Sequence, residues 1–235
     1  MTYHADDADW NALTALKAAY DAYRDNYVPL SAVAMIWLMP TFLLDALGVG
    51  QRLQVAYEFL AGGLLMVGLA PSVAESLLGH PVPLRDCLVM SFTKQRPTSP
   101  LLALITVFGV AGALVLLVLP GIWLLAAWSV AAPVMAAEKA SATAALRRSM
   151  ILTRRRIFRV ATVVVVFALA VFFLIMGGKV LASTISDGPA WARLIGFIVT
   201  AIVLPLAACL STVLYCLLRF DKEGITLELV SDTLH

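Results

Sequence analysis

Five long stretches of this chain contain no Asp, Glu, Lys or Arg: Asn26 to Leu44, Phe59 to Ala74, Pro97 to Ala137, Val160 to Gly178 and Leu194 to Leu218. A segment in lipid must satisfy its own backbone polar groups, and a helix of about 20 apolar residues does so while crossing a bilayer. Four of the stretches are close to that length. The fifth, Pro97 to Ala137, would run about 60 Å as one helix, twice a hydrocarbon core of about 30 Å. Pro120 and Gly121 sit at its middle, where a missing N–H and a permissive backbone favour a turn between spans. It is therefore expected to form two spans, near 100–119 and 121–138, which makes six in all. Composition agrees: apolar residues make up 61% of the chain and charged residues 14%, against about 45–50% and about 25% in soluble domains. A soluble enzyme is thereby excluded, and so are disordered, collagen-like and disulfide-stapled chains, there being only 3 Cys.

Lys and Arg set the orientation. With the N-terminus inside, the cytoplasmic segments hold Lys17, Arg24, Arg85, Lys94, Arg96, Lys139, Arg147, Arg148, Arg154, Arg155, Arg156, Arg159, Arg219 and Lys222. Only Arg52, Lys179 and Arg193 fall outside. Reading 97–137 as a single span would put the basic cluster of 139–159 on the outer face, against the rule. Both termini are expected in the cytoplasm. No cleaved signal peptide is expected, because Asp6, Asp7 and Asp9 open the chain and apolar residues begin only near Val28. Cys87, Cys209 and Cys216 read as small packing residues.

Three cytoplasmic segments have helical periodicity. Trp10, Leu13, Leu16, Tyr20, Tyr23 and Tyr27 recur at spacings of three and four, and aromatic residues favour a membrane interface. Leu84, Leu88 and Phe92 follow Pro83 in the same way. The third segment runs from Ser141, with Leu146, Met150 and Thr153 on one side. Arg147, Arg148, Arg154 and Arg155 fall on another arc, interrupted by Ile151, since i, i+1, i+7 and i+8 cluster on an α-helix. All three are expected to be amphipathic helices lying on the inner leaflet.

Each leads into two spans, the second of which carries a proline. Pro71 precedes Leu84 by thirteen residues and Pro133 precedes Leu146 by the same interval, while Pro205 holds a similar place in the last span. The expected architecture is a single all-α membrane domain with a threefold internal repeat, at about 10–78, 83–138 and 141–218, followed by a tail over 219–235. Proline kinks at equivalent depth would either line a shared cavity or help a small bundle pack. Small residues four apart, namely Gly68 with Ser72, Gly109 with Ala113, Ala127 with Ala131 and Ala208 with Thr212, point to close helix contacts.

Pro120-Gly121-Ile122-Trp123-Leu124, then Trp128-Ser129-Val130-Ala131-Ala132-Pro133-Val134, Glu138, and Ala145-Leu146-Arg147-Arg148-Ser149-Met150-Ile151-Leu152-Thr153-Arg154 form a run with a known look. It resembles the membrane domain of glycerophosphoryl diester phosphodiesterases and the related YciC-like inner-membrane proteins. Leu16 to Leu30 and Leu214 to Gly224 fit the flanks of that pattern. Arg155 departs from it where Gly is common, and Ala127 where a basic residue is common. The resemblance implies a multi-pass protein of the bacterial inner membrane. It implies no hydrolysis, because fused relatives carry that activity in a separate soluble barrel, for which these spans leave no room.

Catalytic patterns are not found. His4, His80 and His235 are far apart in sequence, and no metalloprotease His pair, nucleophile elbow or phosphate-binding glycine loop occurs. Asp45 and Glu58 belong near the outer face, and Glu75 and Glu138 near the inner one, too far apart for paired carboxylate chemistry. No metal, cofactor or nucleic acid is expected. The expected function is a non-enzymatic membrane protein whose Arg147, Arg148, Arg154 and Arg155, with Glu138 beside them, meet the phosphates of membrane phospholipids. Two alternatives are a small transporter or lipid flippase moving at Pro71, Pro133 and Pro205, and a scaffold recruiting partners through the cytoplasmic helices.

Overall fold

A computed structural model describes residues 10–48, 50–93, 97–185 and 189–224, and their side chains except those of 42, 45, 46, 51, 52, 55, 179, 181–185 and 189–193. His4, His235, Lys94 and Arg96, and the side chains of Asp45, Arg52, Lys179 and Arg193, lie outside the described residues.

Among the described residues every regular element is helical. The order is α1 (Ala12–Asp25), α2 (Tyr27–Ala46), α3 (Gln51–Leu77), α4 (Leu84–Thr93), α5 (Ser99–Leu116), α6 (Val118–Trp128), α7 (Ala131–Glu138), α8 (Ala142–Thr153), a 3₁₀ turn (Arg154–Arg156), α9 (Ile157–Ile185) and α10 (Pro189–Glu223). Ala56–Leu77, Ser99–Leu116, Val118–Glu138, Ala142–Gly178 and Leu194–Glu223 are long and apolar enough to cross a membrane, and Tyr27–Thr41 is a shorter apolar helical stretch. Large apolar side chains face outward along several of these helices, including Val115 to Leu119, Phe158, Phe172, Phe173 and Leu174. Contiguous apolar surface of that kind drives association in water and is ordinary in lipid.

The enclosed centre is α3 against α10, with α7 beside them. Leu65, Val67, Leu69, Ala70, Val73, Cys209, Val213, Leu214 and Tyr215 are buried there. Pro71 and Pro205 are buried inside continuous helices, whereas Pro133 opens a new helix after a break at Ser129 and Val130. The expected small-residue pairs sit within this packing: Ser72, Ala127, Ala131, Ala208 and Thr212 are buried, although Gly109 and Ala113 are only half-buried.

The long uncharged stretch is divided as expected, but not at the expected residues. The chain leaves α5 at Leu117, whose backbone is extended (φ −160°, ψ 133°), rather than at Pro120-Gly121. A helix continuing through Pro120 would press its ring into the carbonyl of Leu116 and leave a carbonyl unpaired. Breaking at Leu117 puts Pro120 in the first turn of α6, where no N–H is needed. The amide of Gly121 then bonds the Leu117 carbonyl at 3.2 Å.

In α1 the bulky face also divides. Its packing face is a seam of Ala15, Ala18, Ala19 and Ala22, set against α10 and α9 and closed at one end by buried Trp10. Leu13 and Tyr20 point outward at 74% and 55% exposure. Small residues let helix backbones approach closely, so the alanines form the seam while Trp10, Leu16 and Tyr23 pack beside it. A capping box between Asn11 and Thr14 starts the helix, and Asn26 ends it. The Asn26 amide donates to Ser76 Oγ at 2.8 Å and accepts from the Val82 amide at 3.1 Å. Ser76 in turn donates to the Ala22 carbonyl at 2.8 Å, which ties α1 to the end of α3. In α4 it is Cys87 and Ser91 that are buried, while Phe92 stacks on Trp37 with ring centroids 4.9 Å apart.

Candidate functional site

The arginine-rich segment is held against the break between α6 and α7. Pro133 has no N–H for the Ser129 carbonyl one turn back, and the interruption also releases the carbonyl of Ala127. Hydroxyls from other helices supply the missing donors. Ser211 of α10 donates to the Ser129 carbonyl at 2.6 Å, and Ser149 of α8 to the Ala127 carbonyl at 2.7 Å. In α8 the buried face is Ala142, Ala145, Leu146, Ser149, Leu152 and Thr153, so Ser149 is placed for this bond by helical periodicity. Interhelical bonds of this type contribute on average about 0.6 kcal/mol in membrane proteins, with a maximum near 1.7. Ser149→Ala and Ser211→Ala are each expected to lower unfolding free energy in detergent by about that amount. Ser141→Ala, whose hydroxyl makes no cap bond, should leave it unchanged.

Around this contact a chain of ions joins α7, α8 and α10. Arg148 Nε donates to both oxygens of Glu138, at 3.0 and 3.1 Å, and its Nη2 meets Glu223 Oε1. Glu223 also accepts from Arg219 Nε at 3.1 Å. Arg219 reaches the Tyr215 hydroxyl at 2.9 Å, its guanidinium lying 5.6 Å from the centre of that ring. The Tyr215 hydroxyl closes the circuit to Glu138 at 3.5 Å. Two carboxylates and two guanidiniums balance. Arg156 is paired as well, donating to the two oxygens of Asp221 at 3.2 and 2.8 Å. Lys222 donates to the Ile151 carbonyl at 2.9 Å, so the last turn of α10 is fastened to the C-terminal half of α8 and the turn that follows it.

The four arginines expected on one arc are thus separated by role. Arg148 turns inward with Glu138. Arg147, Arg154 and Arg155 are exposed and, among the described residues, none makes a direct ion pair, although Arg155 shares with the hydrogen-bonded Arg156 and with Arg159 the field that lowers the Asp221 carboxyl below its ordinary pKa. The α-helix ends at Thr153 and tightens into the 3₁₀ turn at Arg154, which winds with fewer residues per turn and shifts the later arginines off the extrapolated arc. Arg147 and Arg154 meet at a groove of about 310 Å³, whose other walls are Trp123, Ala127, Met150, Ile151, Thr153 and Ile157. Arg155 lies outside it, as do Pro71, Pro133, Pro205 and the Pro120-Gly121 turn residues.

Sequence periodicity missed Arg156, Tyr215, Arg219, Asp221 and Glu223. Only Arg219 and Glu223, four apart on one helix, carry a local signal of pairing. Cys87, Cys209 and Cys216 are buried free thiols, and burial raises the Cys87 thiol above its ordinary pKa, partly offset by Ser72. His80 contacts Glu75 at 2.9 Å, and the described residues contain no group of three or more His, Cys, Asp or Glu able to hold a metal. No protein-family model, no curated protein and no solved structure matches this chain.

Proposed function

We propose that this chain is a six-span, non-enzymatic protein of the bacterial inner membrane, with both termini cytoplasmic, that retains anionic phospholipid through Arg147, Arg154 and Arg155. The observation that carries the reading is the division of the arginines. Arg148 and Arg156 are ion-paired with carboxylates within the protein, while these three are exposed and make no direct ion pair among the described residues, Arg155 feeling Asp221 only at longer range. A cation left unpaired at the end of an apolar helix is suited to an anionic leaflet, where each contributes about 1 kcal/mol. The excess of Lys and Arg in the inner segments supports the orientation, and the likeness to YciC-like proteins supports the cellular setting. The outward Leu13 and Tyr20 of α1 suit a helix at the headgroup level.

A short helix followed by two apolar stretches recurs in α1–α3, α4–α7 and α8–α10, the second stretch of the middle unit being divided into α6 and α7, and this supports three units around an axis along the membrane normal. In this reading the prolines serve packing at the centre, and Arg148 with Glu138 braces the site rather than binding lipid.

The test is phospholipid retained after detergent purification from membranes containing phosphatidylglycerol. The triple variant R147Q/R154Q/R155Q is expected to lose about tenfold in retained anionic lipid, allowing for screening among neighbouring exposed charges. Unchanged retention would overturn the reading.

A further inference from the structure

We propose that the groove between α6 and α8 is a discrete site for one membrane phospholipid, which inserts one acyl chain and places its phosphate between Arg147 and Arg154. This deepens the reading above and rests on it: diffuse attraction of a leaflet to exposed arginines requires no groove.

Two chemistries meet in this space. Trp123, Ala127, Met150, Ile151 and Ile157 supply apolar walls, and Arg147 and Arg154 line the same groove. The Thr153 hydroxyl is turned away, donating to the Ser149 carbonyl at 3.0 Å, so the wall beneath the arginines offers no competing donor. Trp123 is 53% exposed, and its indole N–H has no partner among the described residues. Lining the groove, it is the kind of donor that an ester or phosphate oxygen meets at the headgroup level.

An apolar slot capped by two unpaired cations does not suit a free anion, which would leave the apolar walls in water. Nor does it suit a neutral chain, which would leave the guanidiniums unanswered. A volume of about 310 Å³ is at the lower end of ligand pockets, which run from about 300 to 1,000 Å³. It takes the headgroup-proximal part of a single chain, and the second chain stays with the bilayer.

The groove is also built on the helix break. Ala127 forms part of its wall and holds Ser149 through its carbonyl, and a longer side chain at 127 would project toward the chain site. Ile151 provides a cleaner block. It is 44% exposed, and Ile151→Trp fills the slot while keeping every charge.

The experiment is photocrosslinking of the purified full chain in phosphatidylglycerol nanodiscs, using phosphatidylglycerol with a diazirine on one acyl chain, followed by peptide mapping. Saturable labelling of Trp123, Met150 or Ile157, competed by unlabelled phosphatidylglycerol and weaker with phosphatidylcholine, is expected. I151W should lower labelling at these residues about tenfold, since excluding even two methylenes has roughly that effect. R147Q/R154Q should lower it by a similar factor. Labelling spread evenly over Phe158, Phe172 and Phe173 and not competed would overturn the site, while arginine-dependent lipid retention would leave the broader reading standing. Loss of arginine dependence in both assays would overturn the two together. The competition measurement uses the unaltered chain, so it decides the matter even if I151W fails to fold.

Discussion

Arg148→Met is expected to lower the unfolding free energy by about 2 kcal/mol, far more than loss of the exposed Arg147 or Arg154. Removing one member of a fully buried ion pair costs about 3–5 kcal/mol, because the partner charge is left without compensation. An exposed pair contributes only about 0–1 kcal/mol. The side chains of Arg148, Glu138 and Glu223 are 28%, 25% and 22% exposed, which places the effect between those limits. Arg148 also serves two carboxylates at once, so its loss leaves Glu138 with only the Tyr215 hydroxyl and Glu223 with only Arg219, and Arg148→Lys should recover little because an ammonium lacks the planar fork. Arg147→Met, with no carboxylate to strand, should leave stability within about 0.5 kcal/mol of the parent. The measurement is denaturant unfolding in detergent followed by tryptophan fluorescence. The double variant E138Q/R148M should recover part of the loss. If R148M instead unfolds with the parent, the network is no more than a screened surface contact.

Gly121→Ala should be the most damaging small substitution in the hairpin of α5 and α6. A Cβ at this position would lie 2.5 Å from Cγ and Cδ2 of Leu114 and 2.8 Å from its Cα. The leucine side chain can rotate, but its Cα belongs to α5, so the two helices would have to separate. Overpacking of this kind costs about 1–3 kcal/mol, and the backbone contact argues for the upper end. The better helix propensity of alanine returns at most about 1 kcal/mol. Gly112→Ala is the matched control. It lies in α5 with nothing within 4 Å of its Cβ position, and it should be neutral or slightly stabilising. Equal melting temperatures for the two variants in detergent would show that the hairpin is not packed as described.

The role of Gly121 illustrates what can be read before a structure exists. Its place beside Pro120 in the middle of an uncharged run suggested a turn, and two helices do meet there. The break itself falls at Leu117, since a proline disrupts the turn before it. The glycine is needed for close approach between the helices instead. In α1, periodicity identified the helix and the inward Trp10, Leu16 and Tyr23, but not the alanine seam beside them, because bulky residues stand out in a pattern while alanines do not. The arginine arc was drawn on an ideal α-helix through residue 155, and the 3₁₀ turn at 154–156 altered it.

The uncharged runs, by their length and the absence of charge, determined that this chain is helical and apolar enough for a bilayer, because lipid accepts few other backbone arrangements. Which cations stay unpaired was decided only by tertiary structure. Glu223 and Asp221 follow their partners Arg148 and Arg156 by 75 and 65 residues, and no local pattern announces them. Folding α10 back along α8 neutralises one pair of arginines and leaves Arg147 and Arg154 at the mouth of an apolar groove. Neighbours in sequence thereby acquire different electrostatic roles, because Coulomb energy depends on distance through space and on burial, not on position along the chain.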